Sequence, residues 1–162
     1  MLKEKLQGFV MPTEKVFPNL ILRKLTVSDA QADYEAVLVN GDLIRRTIGV
    51  DWPKDDFNYD DNRTDIERHE REFDSNDSYT FGVWDLARKE YLGCIYFYRE
   101  EKPWFKTTPP PDCDVVLEFW VTQHAYERGL FKDLYTNINE WLNSGQLPFK
   151  HPHFNMADIP TG

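Results

Sequence analysis

The stretch from Asp114 to Leu142 constrains the fold most, because its hydrophobic period changes partway along. Residues Val115 to Val121 are almost all apolar or aromatic, which is typical of a strand buried on both faces. Thr122 to Gly129 form a predicted turn. After it, apolar residues recur at the spacing of one helical face, at Leu130, Leu134, Ile138, Trp141 and Leu142. The sequence therefore predicts a strand, a turn and a helix within an α/β domain.

This predicted unit is also a candidate anion site. The first N–H groups of a helix have no partner within the helix, and the positive end of the helix dipole lies behind them. A phosphate group can bind there through the backbone alone. The start of the helix at Leu130 is thus the expected ligand-binding end of the unit.

The remaining elements complete a single domain over residues 19–162, with residues 1–18 as an N-terminal arm. A helix after the first strand is expected to start at a capping box of Ser28 and Gln31, with Tyr34, Val37 and Leu38 as its buried stripe. Three consecutive prolines at 109–111 predict a stiff loop. The predicted segments are a strand at Asn19–Leu25, a short helix and loop at 42–59, a charged helix at Asp60–Phe73, strands at 79–84 and Tyr91–Arg99, and a last strand at Phe149–Met156.

The charge of the chain excludes some classes of partner. A formal net charge of -9 argues against nucleic acid, since binding to its phosphates requires clustered Lys and Arg. No stretch has the ~20 apolar residues that span a bilayer, and the start of the chain lacks the apolar run of a signal peptide. We therefore expect a cytoplasmic protein without a membrane partner. Cys94 and Cys113 are expected to be buried or incidental thiols.

No metal site is expected. Residues Asp56 to Glu67 place oxygen ligands at some of the positions of a calcium loop, but Asp61 stands where such a loop requires glycine. His151 and His153 lie on either side of Pro152, with no third ligand evident.

The strand–turn–helix unit resembles the acetyl-coenzyme A segment of the GNAT superfamily of N-acetyltransferases. In that family a turn of the form Gln/Arg-x-x-Gly-x-Gly/Ala wraps the pyrophosphate, and here the turn is Tyr126-Glu127-Arg128-Gly129-Leu130-Phe131. Gly129 matches the pattern, whereas Tyr126 and Phe131 depart from it. The Phe131 ring can be turned away from the ligand or can fill the phosphate site. The resemblance covers residues 19–156 and implies a mixed, mostly antiparallel sheet flanked by helices, shortened at its C-terminus.

The resemblance also implies an activity and a set of site residues. The activity is transfer of an acetyl group from acetyl-CoA to a primary amine of a small molecule or a peptide. The backbone of Trp120, Val121 and Thr122 would align pantetheine, residues 126–131 would hold the pyrophosphate, and Asn155 would contact the cofactor. The alternative is a GNAT-derived binding or regulatory module without catalysis.

Direct transfer requires a base for the amine and an acid for the leaving thiolate. Glu118 is the candidate base, because it interrupts an otherwise apolar strand and its burial would raise the carboxyl pKa. A Glu at this position can instead face solvent or pair with Arg. Tyr126 and Tyr135 are candidate acids or, alternatively, packing aromatics. An open sheet edge after the last strand further suggests a homodimer.

Overall fold

The computed structural model describes residue 2 and residues 6–160. In this part of the chain six strands form one sheet, in the order of the sequence. Neighbouring strands from β1 to β5 are antiparallel, and β6 runs parallel to β5. The predicted mixed, mostly antiparallel sheet is confirmed. The strands are β1 (Glu14–Val16), β2 (Ile21–Lys24), β3 (Ser78–Trp84), β4 (Tyr91–Tyr98), β5 (Val115–Val121) and β6 (Pro152–Phe154).

Helices cover both faces of the sheet. The described helices are α1 (Ala30–Val39), α2 (Gly41–Ile48), α3 (Tyr59–Asp74), α4 (Gln123–Glu127) and α5 (Leu130–Asn143), with a 3-10 turn at Val27–Asp29 before α1. Side chains of α5 pack with Phe81, Phe97 and Leu117 on one face of the sheet. Side chains of α1 and α2 pack with Tyr96 and Trp120 on the other face. Strand β5, which carries Leu117 and Trp120, is therefore buried on both faces, as its composition predicted.

The α5 face has an aromatic core. Trp141 contacts Phe81 and Phe97 edge to face, with ring centroids 6.1 and 6.0 Å apart. Phe73 reaches the same cluster from the end of α3. Rings in these orientations add to the stabilisation that comes from burying their area. The helix after β5 is thereby fixed on the sheet, and its N-terminal end is held beside the end of β5.

The start of the first helix differs from the prediction. The Asp29 carboxylate accepts a hydrogen bond from the Thr26 backbone N–H (3.1 Å), so the capping pair lies two residues earlier than Ser28 and Gln31. The Gln31 side chain instead donates to Glu35 (2.7 Å). The predicted buried stripe is also wrong at Leu38, which is 57% exposed, because α1 turns Asp33 and Val37 toward the core.

Three further differences from the prediction concern where elements begin and end. The predicted turn from Thr122 to Gly129 contains the short helix α4, whose start is capped by the Thr122 hydroxyl accepting from the Ala125 N–H (3.2 Å). The segment predicted as an arm, residues 1–18, contains β1, which pairs with β2. The last strand is shorter than predicted, at Pro152–Phe154.

Candidate functional site

The site begins where β5 and β6 separate. The two strands pair only from Val115 to Leu117 on β5, and the Asn155 N–H then donates to the Leu117 carbonyl (3.0 Å). β5 continues to Val121, still paired with β4 on its other side. Within the described chain, the remainder of β5 has no strand partner on the β6 side. The predicted pantetheine segment, Trp120 to Thr122, lies along this open edge.

Glu118 lies at the point of separation, and its side chain is buried (2% exposed). Desolvation raises the pKa of its carboxyl to about 7, against the opposing effect of hydrogen bonding by Asn155 and Trp104. The Asn155 Nδ2 donates to Glu118 Oε1 at 3.0 Å. The alternatives of a solvent-facing or Arg-paired Glu118 are thus wrong. A carboxyl with this pKa can accept a proton near neutral pH.

The turn between the helices carries backbone donors. Gly129 has φ +77, a left-handed conformation that favours glycine, and there is open space where a Cβ would project. The Asp133 backbone N–H donates to the Gly129 carbonyl (3.2 Å), which closes the first turn of α5. The N–H groups of Leu130 and Phe131 belong to this first turn, where the helix offers them no acceptor of its own. The positive end of the helix dipole lies at the same place, as the predicted anion site requires, and binding of a phosphate there stays a prediction.

The Phe131 ring is turned into the core and is 6% exposed. Its centroid lies 5.0 Å from that of Phe119 and 5.4 Å from that of Tyr126. The bulky side chain therefore packs beneath the turn, in the core with Phe119 and Tyr126. The Phe131 ring is therefore turned away from the predicted phosphate site and does not fill it, and the space beside Gly129 is open.

The two candidate tyrosines lie apart from Glu118. Tyr126 packs on Phe131, and Tyr135 contacts Phe119 (6.4 Å) and Phe154 (5.0 Å), so both belong to the α5 face. Glu118 alternates with Phe119 along β5 and projects to the opposite face. The structure therefore does not bring Tyr126 or Tyr135 together with Glu118, and their role as acid stays a prediction.

The charges near the turn are already engaged with one another. Arg128 and His124 both approach Glu90 on the segment before β4, at 3.6 and 3.4 Å. Glu127 accepts from the Gln123 side chain (3.1 Å). The Arg128 cation thus lies beside the turn with its charge partly balanced by Glu90.

Sequence reasoning missed Trp104. Its indole interacts with the Glu118 carboxylate, and its ring meets that of Tyr98 edge to face at 5.8 Å. Trp104 is 39% exposed and belongs to the loop that precedes β5, so this contact joins the buried carboxylate to a surface loop. The only signal for it in the sequence is a tryptophan in an otherwise polar, proline-rich loop.

Two features that would indicate other kinds of function are absent from the described residues. They contain no group of three or more His, Cys, Asp or Glu side chains placed to hold a metal ion. None of their helices has both the length and the apolar character needed to cross a bilayer.

The mostly antiparallel sheet, the separation of β5 from β6 and the glycine turn at the start of α5 together define the GNAT fold. Among solved structures, the ribosomal alpha-N-protein acetyltransferase RimL in complex with coenzyme A superposes with a TM-score of 0.61 at 16% identity, over 82% of this chain and 69% of that one.

Two other acetyltransferases are similar in the same way. The microcin C7 self-immunity acetyltransferase MccE, in complex with acetyl-CoA and AMP, has a TM-score of 0.57 at 17% identity, covering 85% of this chain and 71% of that one. A GNAT-family acetyltransferase from Bacillus anthracis has a TM-score of 0.55 at 13% identity, covering 83% of this chain and 69% of that one. No protein-family model and no curated protein sequence matches the chain.

Proposed function

We propose that this protein transfers an acetyl group from acetyl-CoA to a primary amine by direct attack. The observation that carries the proposal is the buried Glu118 at the opening between β5 and β6, where a carboxyl with a pKa of about 7 adjoins unpaired backbone. Similar folds that hold coenzyme A and acetyl-CoA support acetyl-CoA as the co-substrate. In this proposal the chain is an enzyme of the N-acetyltransferase class.

The cofactor would occupy the open edge of β5. Pantetheine would pair with the backbone of Trp120 to Thr122, and the pyrophosphate would bind the N–H groups at the start of α5, after the turn at residues 126–129. The Asn155 Nδ2 is engaged with Glu118, so a cofactor contact by this residue falls to its amide oxygen or its backbone.

The chemistry follows from this placement. Glu118 takes a proton from the acceptor ammonium, directly or through water, and the amine nitrogen then attacks the acetyl carbon. The bond from carbon to sulfur breaks, the nitrogen releases its second proton to solvent as the amide forms, and the thiolate takes a proton from Tyr126, Tyr135 or solvent. The acceptor is a small-molecule or peptide amine. Desolvation of Glu118 poises it to accept the proton near neutral pH.

Calorimetry with coenzyme A tests the cofactor site. Gly129→Asp adds both a side chain strained at positive φ and a negative charge beside the donors, so we expect affinity to fall at least ~10-fold. Gly145→Asp is the matched control, because Gly145 also has positive φ (+82) and open space around it but lies beyond the far end of α5. We expect micromolar binding for the unsubstituted protein and for this control.

Transfer is then measured as free thiol released in the presence of a panel of amines. No binding at millimolar coenzyme A would refute the enzyme and favour the second candidate, a GNAT-derived binding or regulatory module. The departure of Tyr126 from the family's turn is the observation behind that candidate.

Two further expectations belong to this proposal. β6 is at the edge of the sheet, so a second copy of the chain could extend the sheet from Pro152–Phe154. Light scattering in solution tests the dimer, and a monomer at all concentrations would refute it.

The proposed activity operates in the cytoplasm, where acetyl-CoA and amine acceptors are both available, and subcellular fractionation tests this location.

A further inference from the structure

Asn155 joins β6 to Glu118 at the point where the sheet opens. Its backbone N–H makes the last bond of the β5–β6 pair, to the Leu117 carbonyl, and its side chain donates to the next residue of β5. Asn155 and Glu118 are both buried, at 4% and 2% exposure. A single residue thus closes the paired part of the two strands and binds the candidate base with a second hydrogen bond.

Two uncharged side chains act on the Glu118 carboxylate. Asn155 and Trp104 are the hydrogen-bonding partners whose effect opposes that of burial. Trp104 is part of an exposed loop, whereas Asn155 is fixed by the sheet. A hydrogen bond to a charged group is among the stronger ones in proteins, and leaving a buried acceptor without its donor is costly. The orientation of the carboxylate therefore depends mainly on Asn155.

Other titratable groups surround the pair. Tyr96 lies directly opposite Glu118 on β4, and Tyr98 is close enough for the Glu118 charge to raise its pKa. The titratable and charged groups on the elements around Glu118 include Cys94, Tyr96 and Tyr98 of β4, Asp65, Arg68 and His69 of α3, Asp33 of α1, Lys102 of the loop before β5, and His153 of β6. None of them makes the direct contact with the carboxylate that Asn155 makes.

We propose that Asn155 is a positioning residue for the base: by holding Glu118 Oε1 it fixes the orientation in which the carboxylate meets the ammonium group of the acceptor. This inference rests on the proposed function and assigns Asn155 a role distinct from cofactor contact. It also explains why a polar residue is buried at the end of a short edge strand. In this arrangement, the cofactor binds where β5 and β6 separate, and Asn155 holds the base at the same point.

The test is a titration of the Glu118 carboxyl carbon by NMR in the full chain, with the signal assigned from Glu118→Gln. Asn155→Ala removes the donor, and we expect the Glu118 pKa to rise by about one unit. Asn137→Ala is the control, because Asn137 is also buried (7% exposed) but donates to Asn19 (2.9 Å) on the α5 face. We expect no change in that variant. Asn155→Ser serves if the alanine variant does not fold.

Activity gives a second, separable readout. If the protein transfers acetyl groups, the acidic limb of its kcat/KM profile should move to higher pH in Asn155→Ala by the same amount as the NMR titration, and not in Asn137→Ala. A Glu118 titration in Asn155→Ala or Asn155→Ser that matches the unsubstituted protein overturns the proposal. A shifted titration in a protein that transfers nothing to any amine supports the positioning contact and overturns the proposed function instead.

Discussion

Glu118 contributes in opposite directions to activity and to stability. Its carboxyl pKa is raised from 4.5 to about 7 in the folded protein, mainly by desolvation. A group whose pKa is raised by folding favours the folded state below its unfolded pKa, and this stability is lost as pH rises through the folded pKa. For Glu118 that window runs from the unfolded value of 4.5 up to about 7. Above it, the ionised base is ready to act but is buried at a cost.

Glu118→Gln should therefore exchange activity for stability. At about pH 8 we expect the free energy of unfolding to rise by up to about 3 kcal/mol, the equivalent of the pKa shift. We expect kcat to fall at least ~100-fold, because the general base is lost. Urea unfolding at about pH 8 and about pH 4 measures the first effect, which should almost vanish at the lower pH, below the unfolded pKa. A variant that is no more stable at either pH would show that the carboxyl is not desolvated in solution.

Under the proposed mechanism, the unsubstituted protein should show the complementary pH dependence. Its kcat/KM should rise with pH through about 7 and level off above, because only ionised Glu118 accepts the proton. Initial rates over a range of pH, with saturation by acetyl-CoA verified at each point, measure it. A flat profile across this range would exclude Glu118 as the base.

The sequence predicted Glu118 as a site residue but not which side chains contact it. Glu118 could be found because a charged residue in an apolar strand is unusual, and such a residue either finds a partner or serves chemistry. The contact with Asn155 spans 37 positions in the sequence, and no local pattern specifies it. The interaction with Trp104 is likewise set by the path of a loop. Partners of this kind become visible only once the strands are in register.

At the scale of elements, the turn between β5 and α5 keeps the left-handed glycine and the open space beside it despite an unusual sequence. The family pattern has a small residue at the position of Phe131, because a bulky side chain there can block the phosphate. Here the ring points into the core, between Phe119 and Tyr126. The backbone of this element is what an anion would contact. Its side-chain composition is therefore a poor guide to its function.

Phe131→Ala tests this separation of roles. We expect the free energy of unfolding to fall by about 3–5 kcal/mol, as for other buried Phe residues cut back to Ala. Coenzyme A affinity, measured well below the melting temperature, should stay within ~3-fold of that of the unsubstituted protein. Phe131→Leu, which retains most of the volume, should lose less stability. A large gain in affinity in either variant would show that the ring competes with the ligand.

The element types followed from periodicity, but their ends did not. Strand β5 and helix α5 are where the change of period predicts them, because both bury apolar residues at the spacing of their own geometry. Helix α4 was missed because five residues are too few for a periodic signal. The start of α1 was missed because Thr26 and Ser28 are both good caps, and tertiary contacts choose between them.

At the scale of the whole molecule, the two faces of the sheet differ in polarity. The α5 face is almost entirely apolar, whereas the face under α1 and α3 contains a buried polar network. Asp33 accepts hydrogen bonds from Tyr91 and from Asn62 (2.9 Å), and His69 lies 3.0 Å from the Thr80 hydroxyl. Asn62 and His69 lie on α3, which the sequence predicted as a charged helix. A helical stripe of polar residues looks solvent-exposed until its partners are known.

This polar network should make the fold sensitive to acid. Desolvation acts to raise the Asp65 pKa, but His69 and Arg68 outweigh it and hold the pKa at about 2, below the usual 3.8. A lowered pKa means stability that is present above about 4 and lost as pH falls toward 2. In Asp65→Asn the melting temperature should therefore be lower at neutral pH and should decline less between about pH 4 and pH 2. Calorimetry against Asp56→Asn, an exposed carboxylate of the loop before α3, provides the comparison. Equal acid sensitivity in the two variants would mean that a group other than Asp65 causes the loss of stability in acid. Asp33 could not be that group, because burial raises its pKa.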